Sequence, residues 1–261
     1  MTDILKQLSD YARVRCEEAK KSHSFEEIKA RALEMQKGDF AFKRAIETDE
    51  MSFICECKKA SPSKGLIAKD FPYLDIAREY EAAGADAISV LTEPKWFLGS
   101  EVYLKEIAAT VKTPCLRKDF TVDPYMIYEA KVLGAQAVLL ICAILSEKEI
   151  HDCLAICNEL GISALVEAHD ENEIHMAVSA GAGIIGVNNR NLRDFSVNIS
   201  NSKRLRELVP PEILFVTESG ITSPEDVAEA KSIGADAVLV GETLMRAADK
   251  KQKLDELKSM I

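Results

Sequence analysis

A short phrase, glycine and alanine followed by an apolar run, recurs four times along this 261-residue chain. Its copies begin at Gly84, Gly134, Gly181 and Gly234, at intervals of 50, 47 and 53 residues. In each copy a helical pattern ends on the glycine and the beginning of a buried strand follows. Because an interval near 50 residues is twice the length of one strand–helix unit, another strand is expected between the copies.

Other candidate strands alternate with the copies along the chain, at 52–58, 114–119, 163–168 and 213–219. Helical patterns such as YLDIAREYEAAG and YMIYEAKVLG separate the strands, and this alternation predicts a parallel sheet. Eight units in about 210 residues predict an α/β fold, a closed (β/α)8 TIM barrel. The alternative is an open doubly wound sheet, whose first strand is usually followed by G-x-G-x-x-G. Here KKASPSKG follows, which favours the barrel.

The first 50 residues precede the first predicted strand and have helical patterns at about 3–21, 25–37 and 40–48. They are expected to cap the barrel or to lie across its active face. The predicted organisation is therefore an N-terminal helical extension over 1–50, packed on a catalytic barrel over 51–261, as one domain overall.

Composition excludes several classes of partner. A net charge of -10 argues against nucleic acid, because nonspecific binding needs basic patches. The N-terminus lacks the apolar centre of a signal peptide, and no apolar run approaches the roughly 20 residues of a membrane span. Seven scattered cysteines indicate buried, reduced thiols rather than disulfides or metal ligands. A cytoplasmic protein with no metal and no membrane partner is expected.

Polar residues at the ends of the predicted strands are the candidates for catalysis, because barrel enzymes place their chemistry at the carboxyl ends of strands. Side chains alternate along a strand, so Glu56 and Lys58 share the inward face of Ile54, whereas Cys55 and Cys57 face the helices. Any one such residue could instead form a structural ion pair. The convergence of several such residues at one end of the barrel favours an acid–base site over isolated ion pairs. Five strands deliver polar residues to one rim, namely Glu56, Lys58, Lys118, Glu167, Asn188, Arg190 and Glu218.

The loops after the seventh and eighth strands are candidates for a phosphate site. They carry Ser219-Gly220-Ile221 and Gly241-Glu242-Thr243, in which glycines let backbone N–H groups approach an anion. The alternative is that these glycines merely make tight turns. The Glu242 carboxylate would repel a phosphate and is expected to point away. After the first strand, Ser61-Pro62-Ser63-Lys64-Gly65 adds hydroxyls and a cation.

Together these segments resemble the motif set of indole-3-glycerol-phosphate synthases, in the right order over about residues 50–246. The resemblance implies a carboxy-lyase of tryptophan biosynthesis. It would convert 1-(2-carboxyphenylamino)-1-deoxyribulose 5-phosphate into indole-3-glycerol phosphate, releasing carbon dioxide and water without a cofactor. A monomer, or a loose association with other enzymes of the pathway, is expected. The motifs are ECKKASPSKG (56–65), WFLGS (96–100), LRKDF (116–120), VDPYMIYEA (122–130), GVNNRNL (186–192), TESGI (217–221) and LVGETLM (239–245).

The resemblance also implies catalytic roles. Lys118 aligns with the general acid that protonates the substrate carbonyl during ring closure, and Glu167 with a carboxylate of the later dehydration. Lys58 aligns with a lysine near the substrate carboxylate that is also proposed as an acid. Glu56 and Glu218 align with carboxylates that stabilise the cationic intermediate. The division of work among the two lysines and Glu167 stays open. A lysine of this cluster is expected to have a lowered pKa.

Other positions are implied to hold the substrate. Asn188, Arg190 and Ser219 align with residues that orient it. Trp96, Phe97 and Phe120 could form an apolar slot for the anthranilate ring, or could simply pack the loops. The candidate substrate-binding residues are Ser61, Phe97, Phe120, Arg190, Ser219, Gly220, Gly241 and Glu242.

Alternatives to the synthase remain at this level. A related isomerase of the same pathway would need a cysteine or aspartate on the first strand with a partner aspartate, and a silent phosphate-binding barrel would have lost a catalytic group. The departures from the family's pattern are small. Cys57 stands where an aliphatic residue is more usual, and Gln136 replaces the acidic residue of the repeated phrase. Neither removes a catalytic group.

Overall fold

The structure is a computed structural model that describes residues 4–190 and 196–261. Within those residues, eight parallel strands close into a barrel with helices between them, which confirms the predicted (β/α)8 fold. The strands are β1 (Ser52–Cys57), β2 (Ala87–Leu91), β3 (Cys115–Lys118), β4 (Ala137–Ile141), β5 (Ser163–Ala168), β6 (Ile184–Asn188), β7 (Leu214–Glu218) and β8 (Ala237–Val240).

Helices cover the outside of the barrel and precede its first strand. Short strands Ala60–Ser61 and Gly65–Leu66 also form a hairpin in the loop after β1, and a 3-10 turn, Cys142–Ile144, follows β4. The helices are α1 (Ile4–Ser22), α2 (Phe25–Glu34), α3 (Ala41–Ile46), α4 (Tyr73–Ala82), α5 (Glu101–Thr110), α6 (Pro124–Val132), α7 (Glu147–Leu160), α8 (Glu171–Ser179), α9 (Ser200–Arg206), α10 (Pro224–Ser232), α11 (Glu242–Arg246) and α12 (Lys250–Leu257).

The structure explains two positions of the repeated phrase, the glycine and the residue two positions after it. Its glycines adopt positive φ angles, from 78° to 91°, which end the preceding helices in the left-handed region. In three of the four copies, the side chain two residues later accepts a hydrogen bond from the backbone at the start of the preceding strand. Asp86 binds Phe53 N at 2.8 Å and Gln136 binds Cys115 N at 2.7 Å. Gln136 thus performs the task of the aspartate that it replaces.

The strands are apolar on both faces because one face fills the barrel and the other packs under the helices. The predicted orientation of β1 is confirmed. Its Glu56 lines the mouth of the barrel, whereas Cys57 lies outside near Cys115 and Tyr80. Every cysteine of the chain falls in the described ranges and is buried with a free thiol, as expected.

Helix α1 crosses the mouth of the barrel, where Ile4 and Leu8 line the central cavity. The Arg15 guanidinium binds the buried Asp119 carboxylate through two hydrogen bonds, at 2.6 and 3.1 Å. Lys20 pairs with Asp123 at 2.7 Å, so α1 is tied to the loop that follows β3. Across residues 4–190 and 196–261, the helices are all too short or too polar to cross a bilayer.

Candidate active site

A cavity of about 730 Å³ opens at the carboxyl ends of the strands. This volume is in the range of small-molecule sites. All the residues proposed from the sequence as catalytic or substrate-binding lie on its wall. They are Glu56, Lys58, Ser61, Phe97, Lys118, Phe120, Glu167, Asn188, Arg190, Glu218, Ser219, Gly220, Gly241 and Glu242.

Lys118 lies at the centre of the charged floor of this cavity. Its Nζ donates to Glu167 Oε2 at 2.9 Å and to Glu218 Oε2 at 2.8 Å. The two glutamates are almost completely buried, and the lysine side chain is 12% exposed. The barrel makes this cluster because β3, β5 and β7 each carry an inward-pointing polar residue at or next to their carboxyl end.

The lowered lysine pKa expected from the sequence is wrong for Lys118. Burial lowers the pKa of Lys118, but the carboxylates of Glu167 and Glu218 raise it more, and the net pKa is above the ordinary lysine value. The expectation assumed cations as the close neighbours, whereas the fold supplies carboxylates. Lys118 is therefore protonated at neutral pH, the state that a proton donor needs before the reaction.

The two glutamates that flank Lys118 differ in pKa. Burial raises the pKa of Glu167, but Lys118 and His169 outweigh this effect and leave it below its ordinary value. Burial raises the pKa of Glu218 to about 7, because Lys118 offsets it only in part and Glu167 adds repulsion. Near neutral pH, Glu167 is an ionised base, whereas Glu218 can hold or release a proton. Such a pair suits acid–base chemistry.

A second charged pair lies beside the first, where Lys58 Nζ contacts Glu56 Oε2. Gly241, at the end of β8, packs directly against this pair. A Cβ atom at Gly241 would lie 2.8 Å from Lys58 Nζ and still closer to Glu56 Oε2. The close approach explains a glycine here, in addition to its place in the predicted phosphate loop.

The loops after β6 and β7 meet on the other side of the cavity. The backbone N–H of Arg190 donates to Asn188 Oδ1 at 3.0 Å. Arg190 also forms an isolated antiparallel β-bridge with Val197. Ser219 and Gly220 both have positive φ angles, 67° and 92°. The last residues of the GVNNRNL motif, 191 and 192, lie outside the described residues.

A buried polar network that sequence reasoning missed supports these loops. Asn189 Nδ2 donates to Thr217 Oγ1 at 2.9 Å and to the Ser219 carbonyl at 3.2 Å. Ser202 Oγ donates to Asn189 Oδ1 at 2.8 Å. The network fixes the backbone at Ser219 from outside the barrel. The doubled asparagine in GVNNRNL was its signal in the sequence.

Phe97 and Phe120 form an apolar wall of the cavity, with ring centroids 6.1 Å apart. Trp96 does not share this wall, which corrects the three-residue slot suggested from the sequence. Its ring packs edge-on against Tyr11 of α1, with a centroid distance of 5.6 Å. Successive residues of a loop point in different directions, so adjacency in sequence could not place both rings.

Glu93 holds the loop that carries Phe97, a role that the sequence reasoning also missed. This carboxylate is fully buried and accepts backbone hydrogen bonds from Lys95, Trp96 and Phe97 at 2.8 to 2.9 Å. A charged residue two positions after β2 was the available signal, because a buried carboxylate needs such partners.

The rim near β1 and β8 combines hydroxyls, cations and glycines. Ser61, Lys64 and Arg246 line the cavity there. The Glu242 carboxylate pairs with Arg246 Nε at 3.0 Å and lies 3.9 Å from Lys64 Nζ. Its charge is thus compensated by cations at this rim.

A group of possible metal ligands, Cys16, Glu17 and Asp123, lies outside the cavity. Lys20 already occupies the position of a cation there, with Nζ 2.9 Å from Glu17 and 2.7 Å from Asp123. The group therefore gives no support for a metal, and the absence of one stays a prediction.

The fold and the cavity define a (β/α)8-barrel enzyme whose acid–base site lies at the carboxyl ends of the strands. The family model for indole-3-glycerol phosphate synthase matches residues 5–257. A protein of that name from Ruminiclostridium cellulolyticum is 55% identical over 256 residues, covering 98% of each chain. Another from Endomicrobium trichonymphae is 53% identical, covering 98% of this chain and 99% of its own.

The chain therefore belongs to the indole-3-glycerol phosphate synthase family. It is accordingly an enzyme, a carboxy-lyase of tryptophan biosynthesis. This membership excludes the two alternatives, the related isomerase and the catalytically inactive phosphate-binding barrel.

Solved structures support the fold independently. The chain is similar to 3-hexulose-6-phosphate synthase from Salmonella typhimurium, with a TM-score of 0.66, 17% identity, and 80% of this chain and 98% of that one covered. Thiamine phosphate pyrophosphorylase from Pyrococcus furiosus gives a TM-score of 0.60 at 18% identity, with 80% and 94% covered. At such identities the likeness shows the barrel fold alone.

Proposed function

We propose that the chain forms indole-3-glycerol phosphate from 1-(2-carboxyphenylamino)-1-deoxyribulose 5-phosphate, with Lys118 as the general acid of ring closure. The observation that carries this assignment is the position of Lys118. It is protonated, lies on the cavity floor and is held between Glu167 and Glu218. The family's substrate is a phosphorylated small molecule, and the cavity is large enough for one.

In this proposal ring closure joins the carboxylate-bearing ring carbon to the ketone carbon. Lys118 gives a proton to the ketone oxygen as the bond forms. The intermediate then carries a positive charge on nitrogen, which the buried carboxylates stabilise. Loss of carbon dioxide restores the aromatic ring. The new hydroxyl finally leaves as water, a step that needs a proton donor and a base.

The second pair is assigned to the later steps. Lys58, which contacts Glu56, would bind the substrate carboxylate and act as a second acid, and Glu56 would help to position and stabilise the cationic intermediate. Glu167 takes the base role of the dehydration, which its low pKa supports. Glu218 has a pKa of about 7 and can return a proton to Lys118 through their 2.8 Å contact.

The walls of the cavity are assigned to the two ends of the substrate. The apolar side built by Phe97 and Phe120 is the proposed slot for the anthranilate ring. The backbone of the β7 and β8 loops would bind the phosphate together with Ser61 and nearby cations. The proposed phosphate residues are Ser61, Lys64, Ser219, Gly220, Gly241 and Glu242, the last through its backbone. Asn188 and Arg190 would orient the ribulose chain.

The test of this assignment is Lys118→Ala, measured by the indole fluorescence of the product. Turnover is expected to fall by about 10³-fold or more, with substrate binding still measurable. The matched control is Lys131→Ala, because Lys131 is also buried but bonds to the Gln36 carbonyl outside the cavity. It should keep near-normal turnover. Near-normal turnover in Lys118→Ala would remove the lysine from its role, and a folded wild type that made no indole product would refute the function.

Several finer expectations join this proposal. We propose a monomer, with at most loose association with other enzymes of the pathway, and no nucleic-acid partner. A cytoplasmic location is supported by the reduced cysteines, which are typical of a reducing compartment. No cofactor takes part in the proposed chemistry. The division into an extension over 1–50 and a barrel over 51–261 is likewise a proposal, supported by the position of α1 to α3 before β1.

A further inference from the structure

His169 follows β5, two residues after Glu167, and its imidazole lies between two glutamates. Its Nδ1 is 3.2 Å from Glu173 Oε2, and its Nε2 is 3.4 Å from Glu167 Oε1. The Nε2 atom is buried and makes no hydrogen bond of standard geometry within the described residues. The buried ring nitrogen thus lies beside Glu167 Oε1, while Lys118 binds the other oxygen of this carboxylate, Oε2.

The surrounding backbone holds this ring in place. Glu173 Oε2 also accepts the backbone N–H of His169 at 2.7 Å. Glu173 lies in the first turn of α8, where its own N–H donates to the helix cap Asp170 at 3.0 Å. From α9, Asn201 Nδ2 donates to the His169 carbonyl at 3.2 Å. The ring therefore has a fixed support on the side away from Glu167.

We propose that His169 is a positioning residue for the reaction. Clamped by Glu173, it holds Glu167 with Oε2 towards Lys118 and the cavity, and keeps Glu167 as the proton acceptor of the Glu167–Glu218 pair. His169 lies behind Glu167 rather than on the cavity wall, so it acts through Glu167. The inference rests on the proposed role of Glu167 in proton transfer.

The charged groups that face the ring are carboxylates. They are Glu167 on β5, Glu173 on α8 and, farther off, Glu218 on β7. Burial lowers the pKa of His169, but these carboxylates raise it above the ordinary histidine value. Helix α9 adds the neutral amide of Asn201. A doubly protonated ring can donate from both nitrogens, one to each neighbouring glutamate.

The 3-10 turn after β4 also packs here, with Cys142 Sγ 3.5 Å from the Glu173 carbonyl. Burial raises the pKa of this thiol to about 12, so it stays neutral and does not compete with His169 for charge.

His169 contributes to the difference between the two glutamates beside Lys118, together with Asn188, whose hydrogen bond lowers the pKa of Glu167, and Glu56, whose charge raises the pKa of Glu218. Lys118 contacts both carboxylates almost equally, at 2.9 and 2.8 Å, and cannot distinguish them. The imidazolium lies against Glu167 and favours its ionised form. Glu218 receives the proton instead, and the site thereby has one base and one acid.

The test measures kcat and KM against pH, from about pH 4 to about pH 9, for wild type, His169→Gln and His169→Ala. Loss of the imidazolium should raise the pKa of Glu167, so the acid-side fall of kcat should move about one unit towards neutral pH. At about pH 4.5, near the ordinary pKa of a glutamate, kcat should drop about two- to fivefold, while KM changes by less than about twofold. The matched control is His175→Ala, because His175 is an exposed histidine on α8, the helix that carries Glu173. Its profile should match wild type.

An unshifted acid limb in folded His169→Gln, or an equal loss of kcat at every pH, overturns the proposal, since the latter is what a merely structural residue gives. If both variants fail to fold, NMR titration of the His169 ring in the wild type decides. A wild-type midpoint above about 6.5 that is lower in the Glu167→Gln variant supports the proposal, and a midpoint that this variant leaves unchanged rejects it. Glu167→Gln also separates the two hypotheses. If Glu167→Gln is inactive and the pH profile of His169→Gln is unshifted, only the role of His169 is rejected. If Glu167→Gln has near-normal activity, the role of Glu167 is rejected.

Discussion

Substituting Gly241 with alanine tests the geometry of the site without changing any charge. The added Cβ would lie 2.8 Å from Lys58 Nζ and closer still to Glu56 Oε2, whereas ordinary van der Waals contact begins at 3.4 Å. Lys58 Nζ therefore has to move by about 0.6 Å, and the Glu56 carboxylate by about 1 Å. A misplacement of about 1 Å in a catalytic group costs about 10²-fold in rate. We expect kcat of Gly241→Ala to fall by about that factor.

The fold should survive this change. The φ angle of Gly241 is -113°, outside the left-handed region that favours glycine, so overpacking is the main cost, at about 1–3 kcal/mol. The assay is product fluorescence, with circular dichroism and thermal unfolding as measures of folding. Gly183→Ala is the matched control, because its Cβ would meet no described atom within 4 Å. A Gly241→Ala enzyme with wild-type kcat would show that the position of the Glu56–Lys58 pair does not matter and would refute the reasoning.

Two further outcomes are expected. Arg15→Ala leaves the buried Asp119 carboxylate without its bidentate partner, and urea denaturation should show a loss of about 3 kcal/mol in the free energy of unfolding. Arg44→Ala, which breaks an exposed pair with Asp39, should leave the free energy of unfolding unchanged within experimental error. Equal effects of the two substitutions would contradict the argument. Adding a chelator should leave kcat and KM unchanged, and a loss of activity that added metal restores would reveal a metal site.

The sequence by itself determined the architecture and the rim. Strand–helix alternation and the glycine phrase predicted the barrel, because a chain of such units can bury both faces of its strands only under a layer of helices. Two-residue alternation along each strand predicted which side chains enter the mouth, as Glu56 inside and Cys57 outside illustrate. These are local properties of the chain, readable without coordinates.

The boundary of α2 was less predictable. The pattern suggested a helix to residue 37, but α2 ends at Glu34 and the chain continues extended from Met35. Gly38 then donates its N–H to the Leu160 carbonyl, next to Gly161, at the end of α7. A close contact between distant glycines decides this course, and no local pattern contains it.

The tertiary structure alone decided how the charges interact. Lys118 and Glu218 are 100 positions apart in the chain, yet their contact of 2.8 Å contributes to the raised pKa of the lysine. The placement of His169 behind Glu167, and the direction of Trp96 towards α1, likewise depend on side chains from separate elements. Electrostatic energies vary with distance and burial, and both are set by packing. Sequence patterns therefore identify the charged groups of the site, whereas the folded chain sets which of them is acid and which is base.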